Sequence, residues 1–284
     1  MLRRFGLRET NRRGITHRSS RLEIEQVAES VVCATIFIVG LTVGSFLNVV
    51  IHRGPSMWGL VDGAGRGDFI APRSYCPKCQ ATLSAANLIP LLSYLAQRGR
   101  CSRCGAPISV RYPVVEAMGG ASALLAAALF GAAPAAIAAS IFGFALIALA
   151  FIDAETGYLP DAITLPLIGA GIAANAASLF VPLADALIGA AAGFVLFYAI
   201  GEIYARLRKR DGLGLGDAKL LAAIGAWTGW LLLPAVVFLA ALGTLAFAAA
   251  RRAARPDEAI PFGPGLCAAG FVALFFGERL LSVL

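Results

Sequence analysis

Apolar residues run in long blocks along this chain, and short polar breaks separate them. The first block, 31–51, follows a basic, polar tail over residues 1–29. It is long enough to span a bilayer, and no small-residue cleavage site closes it off, so it reads as a transmembrane helix rather than a signal peptide. A polar stretch, 52–112, comes next and is rich in Gly, Pro and Arg. Seven further apolar segments follow, at 113–133, 134–152, 161–180, 183–204, 217–232, 234–250 and 260–283. Their breaks fall at Pro134, at 157–160, at Pro182, over 206–216, at Pro234 and over 251–257, mostly where proline or glycine interrupts a helical pattern. About twenty apolar residues make one span. The pattern therefore predicts an all-α polytopic membrane protein of about eight transmembrane helices. It divides the chain into a tail (1–29), a first helix (30–51), a small loop domain (52–112) between helices 1 and 2, and a seven-helix core (113–284).

Composition agrees with a lipid solvent: 58% of residues are hydrophobic and only 14% charged, against about a quarter charged in ordinary globular domains. The net charge of +7 does not point to nucleic acid, because the basic residues sit in the gaps between apolar runs. With eight spans, the long loop and the loops after spans three, five and seven share one side. That set holds eight basic residues in the long loop, then Arg206, Arg208, Lys209, Arg210, Lys219, Arg251, Arg252 and Arg255; the opposite loops hold none. Such a bias places the long loop in the cytosol. The tail, with seven arginines against four glutamates, runs against this assignment and is outvoted.

Four of the six cysteines form two pairs in the long loop, Cys76-Pro-Lys-Cys79 and Cys101-Ser-Arg-Cys104, with 21 residues between them. Two CxxC knuckles at this spacing signal one tetrahedral zinc site. Pro77, Gly99 and Gly105 suit tight turns, and Lys78, Arg100 and Arg103 favour thiolates. Four sulfur ligands leave no open position, so this zinc is expected to be structural. Two disulfides or free thiols are the alternatives, and a reducing cytosol disfavours the first. Cys33 and Cys267 lie in apolar runs and read as small packing residues.

Acids inside or at the edge of a membrane segment suggest function. Asp153 ends the third span and Asp217 opens the sixth, which puts both on the cytosolic side. Two carboxyls at one depth can share a proton, one acting as base toward water while the other polarises a peptide carbonyl. Gly214 and Gly216 remove side-chain bulk beside Asp217 for an extended substrate. Lys219 reads as a headgroup or loop contact. On spacing alone, helix capping is the competing reading for either acid. Asp161 looks like a helix-start acid, Glu155 and Asp211 like loop charges, and Glu116 and Glu202 like snorkelling or buried hydrogen-bonding acids. The histidines, His17 and His52, are not paired as ligands, and no GxSxG, HExxH or Walker pattern occurs. The segment 63–67 reads as flexible loop.

Taken together, these residues resemble the type IV prepilin leader peptidase family, which are GxGD-type intramembrane aspartyl proteases. The resemblance runs over about 40–270. It starts in Gly44-Ser45-Phe46-Leu47-Asn48 through His52-Arg53, and continues through both CxxC pairs with Asn87-Leu88-Ile89-Pro90 and Arg98-Gly99-Arg100 between them. Arg111-Tyr112-Pro113 to Glu116, Ile152-Asp153 to Pro160-Asp161, Gly214-Leu215-Gly216-Asp217-Ala218-Lys219 and Pro261-Phe262-Gly263-Pro264 complete it. It departs at Ser84-Ala85-Ala86, where the family usually has an aromatic stretch, and near 59–67.

The resemblance implies that Asp153 and Asp217 are the catalytic pair. It implies cleavage after a glycine, between a short basic leader and the apolar helix of a type IV pilin or a type II secretion pseudopilin, at the bacterial inner membrane. It also implies N-methylation of the new N-terminus with S-adenosylmethionine as donor. Chemistry does not locate the donor site; Arg98, Gly99, Arg100 and Glu116 are candidates. Peptidase with methyltransferase activity is the first reading and peptidase alone the second. A non-enzymatic, zinc-stabilised membrane scaffold or transporter is the third, with lipid rather than nucleic acid as the partner throughout.

Overall fold

A computed structural model describes residues 6–62, 68–131, 133–208, 214–252 and 260–281, with the side chains of 6–26, 208, 250–252 and 278–281 left aside. Outside the described residues or side chains fall most of the basic tail with His17, the 63–67 segment, Arg208 to Asp211, Arg251, Arg252 and Arg255.

Among the described residues the chain is helical, with two isolated bridges and no strand. Eight helices carry the apolar segments: α1 (Gly6–Met57), α3 (Arg111–Phe130), α4 (Pro134–Thr156), α5 (Asp161–Ala176), α6 (Leu183–Arg208), α7 (Leu215–Thr228), α8 (Leu233–Arg252) and α9 (Gly263–Leu281). The short α2 (Leu92–Ala96) lies in the long loop. Among the described residues, four stretches are long and apolar enough to cross a membrane: Val27–Met57, Arg111–Phe130, Pro134–Thr156 and Leu183–Leu207. Asp161–Ala176, Leu233–Ala249 and Gly263–Gly277 are apolar but shorter.

The boundaries follow local chemistry. Pro134 occupies the start of α4, where its missing N–H costs nothing. Gly131, Gly157 and Gly229 end α3, α4 and α7 with positive φ (71°, 72° and 76°). The predicted segment 161–180 shortens to Ala176 because Asn175 rebuilds the chain beyond it. Its Oδ1 accepts the N–H groups of Phe180 and Val181, and its Nδ2 donates to the Ala226 carbonyl at the end of α7. At the other end, α1 continues through the polar residues 52–57. Arg53 is buried there and donates to the carbonyls of Asp68 and Pro72, fastening the loop across the helix end.

The core is built around α7. Every residue from Leu220 to Thr228 is buried, with Trp227 donating to the Leu167 carbonyl at 2.8 Å and packed on Phe142. At 14 residues, α7 is about 21 Å long, shorter than a hydrocarbon core of about 30 Å. Its neighbours α4, α5, α6 and α9 shield it. Backbones approach closely where small residues meet: Gly189 faces Gly225 between α6 and α7, and Gly40 and Gly44 face Gly119, Gly120 and Glu116 between α1 and α3. Close small-residue contacts of this kind are how helices associate in lipid, where burial of apolar surface gives little drive.

One end of the bundle gathers the polar residues. Asn48 of α1 donates to the Tyr112 carbonyl of α3, and Arg111 pairs with Glu155 at 2.7 Å, joining α3 to the last turn of α4. Lys219 of α7 reaches both oxygens of Asp161, the first residue of α5, at 2.7 Å. Glu155, expected in a loop, is therefore helical and paired. Asp161 does begin a helix, yet its side chain makes an ion pair rather than a cap.

Candidate active site

Asp153 and Asp217 come together at this polar end, one from the last turn of α4 and one from the first turn of α7. The two carboxylates are near enough to interact electrostatically. Asp217 is the third residue of its helix. The Gly214 backbone lies near its carboxylate, and its own N–H donates to the Gly214 carbonyl at 3.1 Å. That position suits a capping acid. Asp153 does not: it lies at a helix C-terminus, where the macrodipole opposes negative charge, and it is 95% buried. Capping therefore fails as an account of Asp153.

What faces Asp153 is the start of α9. The Gly263 backbone faces its carboxylate, and Oδ2 is buried with no hydrogen-bond partner among the described residues. A Cβ at residue 263 would sit 2.5 Å from that oxygen, so only glycine lets the Pro261-Phe262-Gly263-Pro264 turn close on the acid. One helical turn later Cys267, fully buried, lies near both carboxylates. Sequence reasoning did not give Gly263 a role. The signal was present in a glycine held between prolines where an apolar helix begins.

The glycines of the 214–217 motif differ. Gly216 packs on Leu159, its Cβ position 3.0 Å from that side chain. Among the described residues, a Cβ at Gly214 would meet nothing nearer than Asp217 Oδ2, at 3.7 Å. Lys219 is committed to Asp161 and so braces α7 against α5. Two carboxylates that interact electrostatically, each beside a glycine backbone, can share one proton and serve as acid and base toward one bond.

The four loop cysteines converge separately. Their sulfurs all lie within 4.8 Å of one another, and Cys76 Sγ is 3.8 Å from Cys104 Sγ. A tetrahedral ion with metal–sulfur bonds of about 2.3 Å needs sulfurs about 3.8 Å apart, so the set fits one metal ion. The two knuckles repeat one turn. The N–H groups of Gln80 and Gly105 bond the carbonyls of Cys76 and Cys101, and both residues take positive φ, 58° and 69°. Tyr75–Thr82 and Arg100–Pro107 bridges close the two turns. The N–H groups of Cys104 and Arg103 pull the Cys101 thiol down to about 6, the thiolate form a metal requires.

The candidate donor-site residues do not converge in the same way. Glu116 is buried on α3 and accepts the Leu91 N–H at 2.9 Å, tying the loop to that helix. Gly99, at φ 67°, packs against the Tyr94 ring, and Arg98 and Arg100 are exposed beside it. Glu202 makes an exposed pair with Arg206.

Comparison with known proteins completes this picture. Residues 38–130 match the Bacterial Peptidase A24 N-terminal domain, and residues 140–249 match the Type IV leader peptidase family. A prepilin leader peptidase/N-methyltransferase of Burkholderia pseudomallei (strain 1026b) is 45% identical over 270 residues, covering 88% of this chain and 87% of that protein. Proteins of the same name from Aeromonas salmonicida (strain A449) and Neisseria gonorrhoeae are 39% and 40% identical, covering 86% and 83% of this chain and 91% and 87% of theirs. No solved structure matches the chain. With its cysteine-bearing first part and its paired acids each falling in a matched region, and with similarity over nearly its whole length, the chain belongs to the type IV leader peptidase family.

Proposed function

We propose that this protein is an inner-membrane aspartic endopeptidase that removes the short basic leader from type IV prepilins or type II secretion pseudopilins, and that it methylates the N-terminus so exposed. One observation carries the peptidase reading: Asp153, a buried carboxylate at the unfavourable end of its helix, lies within electrostatic reach of Asp217 and directly against Gly263. Family membership supports the same pair.

In the reaction, one carboxylate takes a proton from water as the oxygen adds to the scissile carbonyl, and the protonated partner gives its proton to the carbonyl oxygen. Collapse of the tetrahedral intermediate breaks the C–N bond; the first acid gives its proton to the leaving amine, and the second takes one back from the gem-diol hydroxyl that becomes the product carboxyl. The pair is then restored. The open space at Gly214 is the approach for an extended substrate backbone, and Lys219–Asp161 keeps α7 in register with α5. The acids and the cysteine loop share the end whose loops carry the basic residues, which supports a cytosolic site, the side on which a basic leader stays.

Cys76, Cys79, Cys101 and Cys104 would hold zinc, which supplies folding energy to a loop with little core of its own. The methyl donor is S-adenosylmethionine, with Arg98, Gly99, Arg100 and Glu116 as candidate contacts. Because Glu116 is already engaged by Leu91, peptidase activity without methylation is the second reading.

The test is mass spectrometry of a prepilin incubated with purified protein and S-adenosylmethionine in detergent. The proposal expects a product shortened at a glycine and carrying one methyl group. A shortened but unmethylated product selects the second reading, and an uncut substrate rejects both.

A further inference from the structure

The loop that carries the cysteines contains a segment unlike the rest of it. Between the two knuckles, a 3-10 turn (Ala85–Leu88) and α2 expose Leu88, Ile89, Leu92 and Leu95 by 40%, 48%, 65% and 68%. The other side of the segment is engaged: the Tyr94 ring packs on Gly99, and the Leu91 N–H is bound to Glu116. Water alone is a poor solvent for four neighbouring large aliphatic side chains on so short an element.

The Leu91–Glu116 bond fixes the depth of this patch. Glu116 is the sixth residue of α3, so it lies about 7–8 Å along the axis from Arg111 at 1.5 Å per residue. A 20-residue helix is about 30 Å long, the thickness of the hydrocarbon core, which puts Arg111 with its Glu155 partner at the boundary. Leu91 is thus bound below that boundary, not above it. Val114 and Met118 of α3, exposed by 39% and 41%, present apolar side chains over the same stretch of the axis. Just after the patch come exposed cations, Arg98 and Arg100, within reach of anionic headgroups.

We propose that residues 88–95 are an interfacial membrane anchor: Leu88, Ile89, Leu92 and Leu95 enter the headgroup–acyl boundary of an anionic bilayer, and Arg98 and Arg100 contact the headgroups above them. Interfacial elements sink about 5–10 Å into that zone, the depth the Glu116 tether sets. The polar loop is then not free in the aqueous phase. Its middle is pinned to lipid, and the two cysteine knuckles stand beside the end of α3. This placement depends on α3 spanning the membrane and is independent of the chemistry at the acids.

The test is photo-crosslinking of the full-length protein in nanodiscs of phosphatidylethanolamine and phosphatidylglycerol. A benzophenone amino acid replaces Leu92 in one variant and Leu95 in another. Met118 serves as the lipid-facing control and the exposed Ser102 as the aqueous control. Expected are phospholipid adducts at 92 and 95, at least tenfold above Ser102 and unchanged by saturating prepilin. Lipid adducts at Met118 but at neither leucine overturn the anchor. So does a crosslink at 92 or 95 to prepilin, or to a second copy, in place of lipid. Prepilin cleavage measured on the same samples reports separately on the acids, so loss of one result does not imply loss of the other.

Discussion

At the scale of single residues, the acids are distinguished less by being carboxylates than by where their helices leave them. Asp217 would be unremarked on α7, because an acid in a first turn is favourable there. Asp153 has no such excuse, and its surroundings explain it only through Gly263 and Asp217. From this follows a prediction for a residue that does no chemistry itself. Gly263→Ala places a methyl group against the Asp153 carboxyl group, so that this side chain itself must shift. A displacement of about an ångström at a reacting group costs on the order of a hundredfold. We expect kcat for prepilin cleavage to fall by about tenfold to a hundredfold with KM within about twofold, read by steady-state kinetics. The control is Gly270→Ala, which meets only the Ile224 side chain on α7. Equal losses in both variants would mean that helix packing, not the acid, is what residue 263 protects.

At the scale of elements, hydropathy reveals where helices lie but not how they end or what they hold. The seven later apolar segments each coincide with one helix, since twenty apolar residues in lipid have few options other than a helix. The ends were less legible. Residues 177–181 leave α5 because Asn175 caps the turn from a distant side chain, and 52–57 stay helical because Arg53 is bound by residues of the loop. Both effects are tertiary, so no local pattern encodes them. The cysteine knuckles were legible in full, because CxxC spacing itself sets the turn that aims two sulfurs at one point. Their predicted content is one zinc ion per chain by elemental analysis. Cys76→Ser with Cys104→Ser should lose it, and limited proteolysis should then cut within 74–107 while the helices stay intact. A metal-free wild-type protein whose loop resists protease equally well would show that the knuckles stand without zinc.

At the scale of the whole molecule, the arrangement is a bundle with one polar end. The C-termini of α1 and α4 and the N-termini of α3, α5, α7 and α9 meet there, tied by Asn48–Tyr112, Arg111–Glu155 and Lys219–Asp161 and by the packing of Gly263 on Asp153. Alternation of spans and the charge of the loops foretold that Asp153 and Asp217 share a side, because each crossing reverses direction. That they come within electrostatic reach, with the start of α9 beside Asp153, depends on helix packing, which hydropathy does not carry. The central claim is that these two acids work as one pair. The measurement that tests it most directly is the cleavage rate of a prepilin by wild type, Asp153→Asn and Asp217→Asn, each purified and shown to be folded by its melting temperature in detergent. Asparagine keeps the size and one carbonyl acceptor while removing the titratable carboxyl group. The account predicts that either substitution alone lowers the rate by at least about 10⁴-fold, as loss of any member of a unit that acts together does. A folded single variant that keeps more than about a tenth of the wild-type rate would contradict it.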